Sequence, residues 1–246
     1  MNNNIKIGMW SGPRNISTAL MRSFENRLDT TVIDEPFYAY FLKKTGIKHP
    51  VYKKVIDSYS TSWNHITNNL IGPIPDGKNI WYQKLMTHHW LKGEPLDWVK
   101  SIHNCFLIRH PKKVIISYLK IHNQINPELI GLPQQLHIFN QVVKKTNKIP
   151  IVISSEDILK NPKLMLSQLC DLLEIPFSNQ MLEWPEGTRD TDGIWSKYWY
   201  QNVIKTTSFS QPRGNNEKLP DQFTGLLEEC MYYYRKMEKY KINNES

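Results

Sequence analysis

The chain has 246 residues, 40% hydrophobic and 22% charged, enough for a large α/β domain whose core needs no disulfide or metal. Its formal net charge of +8 favours anionic partners, a nucleotide among them, and the basic pairs are spread along the chain rather than gathered in a tail. Three cysteines at 105, 170 and 230 show no CxxC or Cys/His spacing, which argues against a zinc site or a disulfide framework and suits a reducing, cytoplasmic setting.

Met1–Asn4 carries no basic or long apolar leader, and no apolar run approaches the ~18–20 residues that span a bilayer. Ile5–Trp10 is a short apolar run stopped by Ser11-Gly12-Pro13, a strand entering a loop. From Ile16, apolar residues recur at helical spacing through Phe24, with Asn15 as the expected N-cap. Thr30–Ile33 is a second strand, closed by Asp34-Glu35-Pro36, and Pro36 suits the first turn of a helix over 37–44. Val51–Ile71 reads as one long helix, and Asn79–Met86 as a third strand ending at Thr87-His88-His89. A short helix at 96–102 precedes Cys105–Ile108, the clearest buried strand, which Arg109-His110-Pro111 ends. Helices at 111–120 and 132–145, a strand at 149–154, a helical region beginning at Ser155-Glu156-Asp157 and a helix at 164–173 follow. Residues 177–219 are irregular, and a last helix runs over 219–240.

Strands alternating with helices predict a three-layer α/β fold around a central, mostly parallel sheet. No repeat or composition break marks a second unit. The expectation is a single domain over 1–246, with a core at 5–160 and a C-terminal loop and helices at 161–246.

The segment Gly12-Pro13-Arg14-Asn15-Ile16-Ser17-Thr18 holds the parts of an anion cradle. A loop between a strand and a helix N-terminus presents free backbone N–H groups, Arg14 can fork onto anionic oxygens, and Ser17 and Thr18 can donate hydroxyls. The ATP-type loop GxxxxGK[ST] is not matched, because its second Gly and its Lys are missing. Arg109 falls at the C-terminal end of a strand, where open α/β sheets place ligands, and Ser117 lies about two helical turns further on. Read singly, Arg109 is a surface cation, Ser117 a mid-helix serine and Arg14 a loop cation.

Pro13-Arg14-Asn15-Ile16-Ser17-Thr18 resembles the first nucleotide motif of sulfotransferases, and Phe106–Tyr118, with Arg109-His110-Pro111 and Ser117, resembles their 3′-phosphate motif. The likeness extends to bacterial sulfotransferase-like proteins beginning WSGPRN. It implies a P-loop nucleotide-binding architecture and 3′-phosphoadenosine-5′-phosphosulfate as co-substrate, with no metal. Arg14, Ser17 and Thr18 would contact the 5′-phosphosulfate within the loop of Gly12, Pro13, Asn15 and Ile16, and Arg109 and Ser117 would grip the 3′-phosphate. Arg213-Gly214 stands where many of these proteins have an Arg-Lys-Gly loop over the 3′-phosphate. Lys84 through His89 is similar to the strand ending Lys-Thr-His that supplies a catalytic Lys and His, which implicates Lys84 with His88 or His89. Glu35 is the rival base, by likeness to carbohydrate sulfotransferases. Asp34 or Glu35 could equally cap the helix at Phe37, and either histidine could simply pack.

The leading expectation is a cytoplasmic sulfotransferase acting on a small-molecule hydroxyl or amine, with Arg14 neutralising charge on the leaving group. The alternatives are a degenerate P-loop kinase or NTPase, and a non-catalytic nucleotide-binding protein of the same fold. Neither nucleic acid nor a membrane is an expected partner, since charge alone suggests the former and no recognition motif accompanies it. The acceptor pocket is expected from 37–72 and 177–215, where the aromatics of 193–200 could stack on adenine, wall off the acceptor or pack beneath the loop.

Overall fold

The computed structural model describes residues 4–209 and 217–243. β1 (Ile5–Ser11), β2 (Thr30–Asp34), β3 (Ile80–Met86), β4 (His103–Ile108) and β5 (Ile151–Ser154) form a parallel sheet in the order β2-β3-β1-β4-β5. β1 lies at its centre and is apolar on both sides. Its alternate residues Ile5, Ile7 and Met9 pack with Leu20, Met21 and Phe24 of α1 (Ser17–Glu25) and Met165, Leu166 and Leu169 of α8 (Pro162–Leu172). Trp10 points the other way, into a cluster with Ile138, Phe139 and Val142 of α6 (Leu132–Thr146) and Tyr234 and Met237 of α10 (Thr224–Glu238). Helices therefore cover both faces, as a parallel sheet requires. No helix among the described residues is long and apolar enough to cross a membrane.

Because every strand runs the same way, the C-terminal ends of β1, β2, β3 and β4 share one edge. Register pairs Ser11 with Met86 and Leu107, and Asp34 with Lys84, so the loops leaving these strands emerge side by side.

Several boundaries differ from the sequence expectations. Asn15 does not cap α1: Ile16 occupies the cap in a left-handed conformation without a side-chain bond, while Asn15 Nδ2 donates to Leu107 O at 3.3 Å. The long helix expected at 51–71 is two helices, α3 (Tyr52–Ser58) and α4 (Trp63–Ile71). Its break falls on Ser60-Thr61-Ser62, where Ser60 Oγ accepts from Ser62 N and Ser62 Oγ from His65 N. Such short side chains compete for backbone groups and favour a cap over a helix interior. Pro36 precedes α2 (Tyr38–Thr45) rather than opening it, and 97–101 is a 3-10 turn. Pro111 does open α5 (Pro111–Leu119). The helical region expected from Ser155 is α7 (Ser155–Lys160), and the irregular stretch after 177 contains α9 (Ser196–Trp199).

Gly12 is needed for a close approach rather than for a turn. A Cβ there would lie 2.3 Å from Ile130 O, so the loop after β1 and the segment leading into α6 fit together only without a side chain. Gly12→Ala is expected to destabilise the protein by about 1–3 kcal/mol, read as a lower urea midpoint with an unchanged slope.

Candidate functional site

The loop leaving β1 is strained where a glycine would be easier. Arg14 (φ 65°) and Ile16 (φ 57°) are both left-handed, at a cost of about 1–3 kcal/mol each. Such residues turn successive N–H groups toward one concave point, here at the N-terminus of the nine-residue α1. Tertiary contacts hold the strain: Ser155 Oγ donates to Asn15 O at 2.9 Å, and Arg109 Nη1 donates to Arg14 O. Arg14 Nε donates to Ser117 Oγ at 2.9 Å, bringing together residues 103 apart in sequence. Arg109 Nε is buried without a hydrogen-bond partner among the described residues, its nearest carboxylate oxygen being Glu156 Oε1 at 4.0 Å. Burial lowers the pKa of both guanidiniums, and Arg109 lowers that of Arg14 further. Two cations thus share a half-buried corner that an anion would relieve.

Arg14, Arg109 and Ser117 line one cavity of about 280 Å³ with Pro13, Asn15, Ile16, Ser17 and Thr18. Gly12 lies beneath that wall, packed on Ile130. Arg213 and Gly214 lie outside the described residues.

Glu35, Lys84, His88 and His89 line the same cavity. Lys84 is 1% exposed, and its Nζ donates to Asp34 Oδ1 at 2.8 Å, to Glu35 Oε1 at 2.7 Å and to the Tyr200 hydroxyl. The Tyr200 hydroxyl donates to Asp34 at 2.8 Å and accepts from Trp195 Nε1 at 3.3 Å, while Gly193 N donates to Asp34 Oδ2 at 3.1 Å. Neither Asp34 nor Glu35 caps α2 with its side chain. Glu35, in a third strained conformation (φ 46°), instead accepts from Tyr38 N through its carbonyl and turns its carboxylate toward Lys84.

Burial raises the Glu35 pKa above the ordinary carboxylate range, and the attraction of Lys84 only partly offsets it. Burial works against the charge on Lys84 too, but Asp34 and Glu35 outweigh it and the ammonium is held more firmly than usual. Burial pushes His88 down to about 3 and His89 well below its usual value, so both rings are neutral near pH 7. Both nitrogens of His89 and Nδ1 of His88 are buried without hydrogen-bond partners among the described residues. His89 Nε2 is 4.0 Å from Glu35 Oε2, and its ring stacks on Tyr38 at 5.1 Å.

Sequence reasoning offered Tyr200 only as one ring of the 193–200 run and missed its place in the ion cluster with Asp34 and Lys84. The aromatic run at 193–200 was visible, but nothing local ties Tyr200 to an aspartate 166 positions away. Tyr38, His49 and Trp199, which also line the cavity, fall within the ranges 37–72 and 177–215 that the sequence offered for a pocket, whereas His122 lies outside both.

The raised Glu35 pKa sets the sign of a pH effect. Between the ordinary value of 4.5 and its raised value, the folded protein holds a proton that the unfolded chain releases. The contribution of Glu35 to stability is therefore present at the acid end of that window and lost as pH rises through it. Urea midpoints measured across the window should show this fall in the wild type, and Glu35→Gln should flatten it.

A sequence model of the sulfotransferase domain matches residues 5–241. Branched-chain-amino-acid aminotransferase-like protein 2 of Arabidopsis thaliana is 34% identical over 228 residues, covering 93% of this chain and 40% of that protein. Its companion, protein 1, is 33% identical over 240 residues, covering 98% of this chain and 43% of its own length. The chain thus spans less than half the length of these relatives. The sulfotransferase domain from the curacin biosynthetic pathway superposes with a TM-score of 0.58 at 16% identity, covering 98% of this chain and 99% of that one. The sulfotransferase domain from the Synechococcus PCC 7002 olefin synthase gives 0.61 at 15% identity, covering 98% and 97%. At such identities the likeness is one of fold, and it agrees with the parallel sheet covered on both sides. With the domain model matched over nearly its whole length, the chain belongs to the sulfotransferase family of enzymes.

Proposed function

We propose that this chain transfers a sulfuryl group from 3′-phosphoadenosine-5′-phosphosulfate to the oxygen or nitrogen of a small molecule. The observation that carries the reading is the meeting of Arg14, Arg109 and Ser117 beside the N-terminus of α1, in a cavity that also holds Glu35 and Lys84. The unpartnered Nε of Arg109 and the N–H groups of the strained loop fit a nucleotide with two anionic ends. In this assignment Arg14, Ser17 and Thr18 hold the 5′ end, and Arg109 and Ser117 hold the 3′-phosphate. No metal takes part.

The chemistry is an in-line displacement. The acceptor atom forms a bond to sulfur as the bond from sulfur to the 5′-phosphate oxygen breaks, and the acceptor's proton passes to a base. Charge gathers on the departing phosphate oxygen, and in this reading Arg14 and the loop N–H groups stabilise it there. Glu35 is the better base of the three candidates: its raised pKa moves toward neutrality, whereas His88 at about 3 moves away from it. Lys84 fixes the Glu35 carboxylate and supplies positive potential, and His88 and His89 shape the floor as neutral rings. A cytoplasmic setting is supported by three buried free thiols, and the match over 5–241 supports a single sulfotransferase-like domain. Neither nucleic acid nor a membrane enters this reading.

Calorimetry with adenosine 3′,5′-bisphosphate tests the assignment. The wild type should bind, and Arg109→Ala should weaken binding by about 10–100-fold, the effect of losing charge-assisted hydrogen bonds. No binding by the wild type, or equal binding by Arg109→Ala, defeats the reading. For the base, Glu35→Gln should keep bisphosphate affinity within about threefold while lowering turnover by about 10²–10⁴-fold with any acceptor the wild type uses. Full turnover by that variant would return the role to a histidine.

A further inference from the structure

Two of the stretches that line the cavity carry an excess of one charge. Ile47 and His49 come from residues 43–54, and Trp199, Asn202 and Val203 come from residues 197–205. The first stretch holds Lys43, Lys44, Lys48, Lys53 and Lys54, the second Lys197 and Lys205, and neither holds an Asp or Glu. All seven lysines are exposed. The two stretches meet at the cavity, where the His49 ring lies edge-on to Trp199 at 5.5 Å. Lys48 sits between two lining residues, and each of the other six lies within five positions of one.

These cations are left without local compensation. Among the described residues none of the seven has a carboxylate oxygen within 4.0 Å, whereas Lys100, Lys113, Lys120, Lys145 and Lys241 each have one. Lys43 Nζ donates to Thr61 Oγ1 at 3.1 Å, and Lys44 and Lys197 lie over the rings of Tyr40 and Tyr198, partners that leave the charge in place. Lys53 and Lys54 stand in the first turn of α3, which has no acidic residue there and no side-chain cap, so the helix dipole opposes them. Crowded like charges cost stability through self-repulsion, and here they gather beside the cavity that holds Arg14 and Arg109.

We propose that these seven lysines form an electrostatic rim that draws a polyanionic nucleotide out of solution and toward the Arg14–Arg109 corner, setting the rate of capture rather than holding the bound ligand. The inference rests on the sulfuryl-transfer reading for the identity of the ligand and on the charge distribution for the role. Exposed ammonium groups on flexible stems bind weakly one by one, but their summed potential reaches about 10 Å into solution at about 0.1 M salt, and further in dilute buffer. A ligand charged at both ends feels that potential before it docks, and a neutral molecule does not. The half-buried arginines then make the contacts that govern dissociation.

Capture is read as the association rate of adenosine 3′,5′-bisphosphate, followed by stopped-flow tryptophan fluorescence through Trp199 in the cavity wall. Lys48→Gln, Lys53→Gln and Lys54→Gln combined should slow association by about threefold or more at about 10 mM salt, with dissociation unchanged within about twofold. The deficit should vanish at about 1 M salt, where the field reaches only about 3 Å, and Lys48→Arg, Lys53→Arg and Lys54→Arg combined should keep the wild-type rate. Lys78→Gln, Lys100→Gln and Lys148→Gln combined remove the same charge at the opposite edge of the sheet, ahead of β3, β4 and β5. That control should leave association within about 1.5-fold of the wild type. Equal slowing by the two glutamine triples assigns the effect to net charge, and no slowing, or a change confined to dissociation, removes the rim. Each of these overturns the inference while the bisphosphate still binds. No binding by the wild type removes the sulfuryl-transfer reading and this inference with it.

Discussion

The buried pairing of Lys84 with Asp34 and Glu35 is the interaction on which the site depends. Taking an ammonium and two carboxyl groups out of water costs several kcal/mol per ion unless each is well bonded. Here the cost is met by density of contact: Asp34 receives Lys84, the Tyr200 hydroxyl and Gly193 N. Two of those donors belong to the 193–200 stretch, so the pair that sets Glu35 also fastens a distant segment over the cavity. Asp192, next to that anchor, is bonded to the buried Arg22 of α1 at 2.9 Å, a second tie on the same stretch.

A second constraint is strain. Arg14, Ile16 and Glu35 all adopt left-handed conformations that glycine would take more readily, and all three line the cavity. Their conformations persist because Ser155, Arg109 and Lys84 bond to the loop carbonyls or carboxylate from outside. Each strained residue keeps a side chain that a glycine would lack. For Arg14 that side chain reaches Ser117 and helps build the cationic corner; for Glu35 it reaches Lys84.

These two devices give the cavity a polarised design. The charged groups of the lining collect at the sheet edge, set among neutral imidazoles and aromatic rings. The burial that raises the pKa of Glu35 also lowers those of His88 and His89, so one environment separates the three candidate bases and favours the carboxylate for the proton.

The sequence alone determined the strand–helix alternation, because the apolar runs at 5–10 and 105–108 and the helical periodicities beside them are local signals. It also located the two loops that meet in the cavity, since a strand followed by Gly12-Pro13-Arg14 and one followed by Arg109-His110-Pro111 are read within a dozen residues. The break of 51–71 was decided by Ser60 and Ser62 side chains competing for backbone groups, a weak signal beside a strong periodicity. Only the tertiary structure decided that Asn15 serves Leu107 rather than the helix end, that Glu35 and Lys84 share an ion cluster, and that Tyr200 closes it. Those choices rest on contacts between residues about 50 to 166 positions apart, brought together by the parallel register of β1 to β4, and no local pattern in the chain encodes them.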